Sequence, residues 1–141
     1  MHKSLFIAIP LVSILIVAYG AWKIFGVDVD AGKRLAENNC GVCHDLTESQ
    51  QNVKGPYLWG ILGRQAGSID EFAYGVRFRE VVEASPFRWD SRSLELFIAD
   101  PDRFLEGTRM AQPKSEHTLA FSGIQDTTNR RNLLAYLKTL K

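Results

Sequence analysis

Cys40, Cys43 and His44 lie together in the run Cys40-Gly41-Val42-Cys43-His44. Two thiols separated by two residues and followed at once by an imidazole form the C-x-x-C-H pattern through which c-type haem is attached. Each thiol can add to one vinyl group on the edge of the macrocycle. The adjoining imidazole then falls beneath the iron as an axial ligand. Two cysteines also have other uses. A structural zinc site needs four ligands, and the remaining histidines are His2 and His117. A thioredoxin-like pair belongs in a strand–helix–strand setting and does not need the trailing histidine. A plain disulfide suits an exported protein.

Besides Met1, Met110 is the only methionine, and it follows Glu106-Gly107-Thr108-Arg109. A lone methionine is ordinarily a gap-filling core residue. Opposite a haem histidine, its thioether is a soft ligand that suits iron and raises the reduction potential. Iron with both axial positions filled changes little between oxidation states, which suits an electron carrier. An enzyme would keep one position open for substrate.

The elements that must position these residues fall into two unequal parts. Leu5 to Trp22 is uncharged and nearly all apolar, about the length that crosses a bilayer as a helix at roughly 1.5 Å per residue. His2 and Lys3 precede it, which places residues 1–4 in the cytoplasm by the positive-inside rule. Residues 5–25 are read as a transmembrane signal-anchor, with a cleavable signal peptide as the rival, since Ala18-Tyr19-Gly20 satisfies the small-x-small rule. Residues 26–29 form a short linker and residues 30–141 one small domain.

Within the domain, Asp30 is expected to cap a helix that runs into the Cys40 motif. Residues 45–75 are glycine-rich and read as loops. A short helix is expected over 79–85, ending before Pro86. Another, capped by Ser91 or Ser93, stops at Pro101. Residues 102–123 look irregular. A last helix starts at Asp126 or Thr127, with Leu133, Leu134, Tyr136, Leu137 and Leu140 at helical spacing. Strand signals are absent, so the fold class is all-α with long loops. A covalently held haem would supply apolar core that short helices lack.

With these residues placed, residues 28–141 resemble class I cytochromes c of the mitochondrial and bacterial c2 type. The likeness is carried by Cys40–His44, by Lys54-Gly55-Pro56-Tyr57-Leu58-Trp59-Gly60-Ile61-Leu62-Gly63-Arg64 and by Phe72-Ala73-Tyr74. Trp89, Asp100-Pro101, Gly107–Met110, Phe121–Ile124 and Leu133–Leu137 continue it in order. The resemblance implies a small cytochrome c fold with one covalent haem c, here preceded by one N-terminal transmembrane helix. It implies thioether bonds from Cys40 and Cys43, and His44 and Met110 as the axial iron ligands. The Pro56 carbonyl would accept a hydrogen bond from the His44 ring. Arg64, Tyr74, Trp89 and Thr108 would hydrogen-bond or neutralise the propionates. Gly32 and Tyr136 would meet where the first and last helices cross.

Three features depart from that pattern. Phe97 stands where the family usually has a tyrosine that hydrogen-bonds the methionine sulfur. Ala111 to Ala120 separate Met110 from Phe121, and His117 lies in that insertion. The 17 basic and 16 acidic residues of the chain nearly cancel, so strong steering toward acidic partners is not expected. The resulting expectation is a non-enzymatic, monomeric, monohaem carrier. It would sit in the bacterial inner membrane as a single-pass protein with its domain on the periplasmic side. It would pass single electrons from a bc1-type complex to a terminal oxidase. The alternatives are a haem subunit of a larger membrane oxidoreductase, and a haem enzyme or gas sensor with a displaceable Met110. The basic residues are too scattered for nucleic-acid binding.

Overall fold

A computed structural model describes residues 26–110 and 120–141. They form five helices: α1 (Val29–Asn39), α2 (Val76–Ala84), α3 (Ser91–Ala99), α4 (Pro101–Phe104) and α5 (Thr127–Leu137). Each of four helix starts is fixed by an aspartate. The N-cap of α1 is Asp28, whose extended backbone lets its carboxylate accept from the Ala31 N–H at 2.8 Å. The cap expected at Asp30 is corrected: that residue lies inside the first turn. There its charge still faces the positive end of the helix dipole. Asp90 caps α3 and forms a capping box with Ser93, so neither Ser91 nor Ser93 is the cap itself. Asp100 ends α3 and at the same time caps α4, with Pro101 as the first helical residue. The stretch read as irregular from 102 therefore opens with a helical turn. Asp126 caps α5 through the Asn129 N–H at 2.7 Å.

Helices α1 and α5 cross at the closest backbone approach in the domain. A Cβ placed on Gly32 would stand 2.0 Å from the Asn132 carbonyl oxygen, so only glycine fits. The nearest atoms to that position are those of the Asn132–Leu133 backbone. Tyr136 lies one helical turn further on, near enough to Glu37 for that charge to help raise its phenol. The Asn132 side chain is buried and accepts from the Asp28 N–H at 2.9 Å. It ties the start of α1 to the middle of α5.

The core lies between these helices and α3, around Ala36, Leu94, Ile98, Leu133, Leu134 and Leu137. The long segment between α1 and α2 is pinned down by backbone bonds. The Gly60 N–H donates to Leu140, Gly63 to Trp89, Trp89 to Arg64 and Ala66 to Phe87, all at 2.8–2.9 Å. Pairing goes no further than a single bridge between Gln65 and Arg88. Loops of this length are uncommon in small domains, and these bonds satisfy their backbone without a sheet.

The expected transmembrane helix is corrected. Among the described residues no helix is long and apolar enough to cross a membrane. The longest, α1 and α5, have 11 residues each, or about 16 Å of rise against the roughly 30 Å of a bilayer core. Residues 5–25, to which that helix was assigned, lie outside the described residues. The membrane-anchored form, the single-pass placement in the inner membrane with a periplasmic domain, and the membrane itself as a partner are therefore set aside.

The Gly32 contact has a measurable consequence. Gly32→Ala should lower stability by about 3 kcal/mol, because overpacking at a backbone contact cannot be relieved by a rotamer change. Denaturant unfolding checks this, and a loss under about 0.5 kcal/mol, the size of an ordinary surface substitution, would show that the helices do not meet there.

Candidate haem-attachment site

The end of α1 delivers the two cysteines and the histidine. Cys40 is the C-cap, and both its N–H and that of Gly41 donate to the Ala36 carbonyl at 2.8 Å. The chain then keeps turning: the Cys43 and His44 N–H groups both donate to the Cys40 carbonyl, at 3.0 and 2.8 Å. The two thiols are free and half-buried. Burial, and secondly the neighbouring Cys43, push the Cys40 thiol up to about 11. It is therefore a thiol at neutral pH. A dithiol redox pair needs the opposite, a thiolate stabilised near neutrality.

The His44 ring is held from two sides. Its Nδ1–H donates to the Pro56 carbonyl at 2.6 Å. The carbonyl can only accept, so this bond fixes the tautomer and leaves the Nε2 lone pair free for a metal. Burial lowers the ring's affinity for a second proton, with the Pro56 bond opposing it. Gly55 lies against the imidazole: a Cβ there would come within 2.3 Å of Cε1. The loop that carries Gly55 and Pro56 is fastened to the motif by Gly55 N–H to Cys43 (2.8 Å) and Leu58 N–H to Asp45 (2.8 Å).

Asp45 was missed in the sequence. Its carboxylate accepts from the Thr47 N–H and hydroxyl, the Ser49 hydroxyl and the Gln51 N–H, at 2.5–2.9 Å. These donors, Ser49 foremost, hold it well below the usual carboxylate range. The result is a rigid turn directly after His44. The spacing D-x-T-x-S is the available signal, since such side chains close local turns onto the backbone.

Arg64 is half-buried, and it ties the loop together. Its Nη1 donates to the Tyr57 carbonyl at 2.7 Å and its Nη2 to that of Trp59, while the guanidinium lies 4.4 Å from the Tyr57 ring centroid. Burial weakens its hold on its proton, and Tyr57 and Tyr74 offset this. Tyr74 stacks on Phe78 at 5.1 Å and meets Phe72 edge-on. Burial raises its phenol, and Arg64 is among the groups that pull it back. Arg64 and Tyr74 are near enough for each charge to be felt by the other.

Trp89 is buried against Phe87, Phe97 and Phe104. Thr108 is buried beside Gly107, which has φ +75 and whose N–H is held by Asp102. Arg109 reaches back to the Ala73 carbonyl at 3.4 Å and packs on Gly75, joining the segment before Met110 to the Tyr74 loop. Met110 is half-buried, and its carbonyl accepts the Phe121 N–H at 3.1 Å. Phe97 sits in the aromatic cluster with no hydroxyl to offer. His117 lies outside the described residues.

The donor set fits a covalently attached haem. It has two free thiols, an imidazole with one nitrogen fixed and one available, and an irregular half-buried segment bearing a thioether. It does not fit a closed metal cage: among the described residues no group of three or more His, Cys, Asp and Glu could hold an ion.

The loop bonds lead to an expected outcome. Arg64→Ala should cost about 2–3 kcal/mol, since it removes two charge-assisted bonds to carbonyls. Arg64→Lys should recover part of that, because an ammonium cannot span both carbonyls as a planar fork does. Chemical denaturation of the two variants checks the order. Equal losses would mean that the fork geometry is irrelevant.

No family model matches the chain. Cytochrome c of Euglena viridis is 32% identical over 114 residues, covering 81% of this chain and 98% of that protein. Cytochrome c-550 of Nitrobacter winogradskyi is 34% identical over 110 residues, 78% of this chain and 88% of its own. Cytochrome c2 of Pararhodospirillum photometricum is 27% identical over 114 residues, 81% and 98% of the two chains. The first and last of these are spanned almost whole by about four-fifths of this chain, so the likeness is to the domain and lends no support to an anchored form. Taken with the five-helix fold, the free thiol pair and the oriented His44, these relatives establish that this chain belongs to the cytochrome c family, with the general role of an electron carrier.

Proposed function

We propose that the chain holds one haem c through Cys40 and Cys43, with His44 and Met110 as its axial ligands. In this reading it serves as a non-enzymatic, single-electron carrier in a respiratory chain, between a bc1-type donor and a terminal oxidase. The observation that carries the reading is the His44 ring, held on the Pro56 carbonyl at 2.6 Å and against Gly55, directly after the free thiols of Cys40 and Cys43 in the chain. The haem would supply a one-electron couple, and the protein would supply ligation, burial and orientation. Pro56 would keep Nε2 of His44 aimed and basic. Arg64, with its neighbour Tyr74, would offset propionate charge; Trp89 and Thr108 would close the same side in buried positions.

A second reading rests on Phe97. Its ring packs against Trp89 and Phe104 at centroid distances of 5.2 and 5.8 Å and cannot hydrogen-bond a methionine sulfur. A less supported Met110 would suit a haem enzyme or gas sensor in which substrate or ligand displaces it.

Intact mass and carbon monoxide binding test both. The first reading expects a mass increase of one haem that survives denaturation and is lost in Cys40→Ala/Cys43→Ala. It expects no carbon monoxide binding by the unmodified ferrous protein and ready binding by Met110→Ala. Strong binding by the unmodified protein would select the second reading. Absence of the haem mass would overturn both.

A further inference from the structure

Arg130 is the charged side chain that the site as described leaves unexplained. It projects from the first turns of α5 and is only 14% exposed. Burial of a guanidinium is costly unless its N–H groups are bonded. Its partners are mostly outside its own helix. Nη1 donates to the Ile124 carbonyl at 2.9 Å and to the Gln125 carbonyl at 2.7 Å. Nη2 reaches the Thr127 hydroxyl at 3.3 Å and stands 3.8 Å from Glu95 of α3. Nε is buried and finds no partner among the described residues. A guanidinium has been kept in a poor solvent, with one donor unsatisfied, in order to grip two carbonyls of an irregular segment.

That segment is the return leg of the chain after Met110. The Phe121 N–H donates to the Met110 carbonyl. Gly123 then passes α3 so closely, at φ +96, that a Cβ would stand 2.1 Å from the Ala99 carbonyl oxygen. The Ile124 N–H donates to Ile98 at 2.9 Å, and the Gln125 amide to Ala99 at 2.9 Å. An unbroken series of bonds thus runs from Arg130 through residues 121–125 to the backbone of Met110.

We propose that Arg130, seated by Glu95, is a positioning residue that holds the return leg and thereby sets how firmly Met110 stays on the iron. This rests on the reading of Met110 as axial ligand. Phe97 has no hydroxyl to offer a methionine sulfur, and in this reading the clamp supplies support through the Met110 backbone instead.

Imidazole titration of the ferric holoprotein tests this, followed by loss of the methionine-to-iron charge-transfer band. Arg130→Gln should bind added imidazole roughly 5- to 10-fold more tightly than the unmodified protein, within the ordinary range of coupling between sites. Arg130→Lys and Glu95→Gln should fall between, and they carry the test if the glutamine variant does not fold. Asn132→Ala is the control: it loses the Asp28 bond and unfolds at lower denaturant, yet its imidazole affinity should not change. Unchanged affinity in Arg130→Lys and Glu95→Gln, or a matching rise in Asn132→Ala, would overturn the proposal while leaving the ligand reading intact. Absence of the charge-transfer band in the unmodified protein would overturn both.

Discussion

The carbonyl of Asn132 occupies the place where a side chain on residue 32 would begin, and the rest of the domain depends on that contact. It fixes the angle and depth at which α1 lies on α5. Because α1 ends at Asn39 and passes straight into Cys40, the same contact decides where the thiols and the imidazole are delivered. The small stripe Gly32 and Ala36 gives α1 little apolar area of its own. Its hold on the domain comes from close approach, from the Asn132 side chain on Asp28, and from the leucines of α5 around it. Backbones that meet this closely tolerate little relaxation, which makes the crossing a sound base for a site needing accurate placement.

From that base the site is assembled mainly out of backbone. Pro56 offers a carbonyl to His44, Arg64 is spent on two carbonyls, and Arg130 on two more. The glycine-rich loop would be a liability if its polar groups were left to water. Here four of its backbone bonds run to Trp89, Phe87, Leu140 and Cys43. Gly55 does more than permit a turn, since its missing side chain is the space the imidazole fills. The side chains facing inward can then be largely aromatic and aliphatic, which suits a redox cofactor whose charge change should disturb its surroundings little.

How much of this was legible in the sequence follows the same division. Cys40, Cys43 and His44 were readable because their spacing is itself the chemistry. The cap at Asp126 was readable because it directly precedes an apolar repeat. The Pro56 bond to His44 came from resemblance, and the geometry agrees with it. What escaped were contacts made by main-chain atoms, which leave no mark on residue type. Gly32 was recognised as a crossing glycine beside Tyr136, but the carbonyl of Asn132 that it meets most closely is not visible in a sequence. Asp28 and Asp30 are equally good capping residues on paper; only the extended backbone at Asp28 decides between them. Arg64 was read for its charge, although its fork binds carbonyls. Arg130 drew no notice, being one arginine of a pair on a polar-looking helix start.

The two halves of the site are not equally held. His44 is bounded by a side-chain bond, a glycine contact, its own backbone bond to Cys40, the Gly55 bond to Cys43, and the Asp45 turn immediately after it. Among the described residues, Met110 has one backbone bond to Phe121 and the reach of Arg109 to Ala73. Local stability follows the density of such ties. If these two residues are the axial pair, the methionine side is where ligation yields first, and the histidine side is fixed whatever the oxidation state. The aromatic wall of Trp89, Phe97 and Phe104 makes that difference sharper. It packs well, which favours the folded chain, and Phe97 and Phe104 carry no donor for a sulfur. If Met110 is the sixth ligand, stability of the core and firmness of that ligand are set by different residues. A substitution that strengthens the aromatic cluster need not strengthen the ligand, and a change in the return leg can loosen the ligand while the core stays intact.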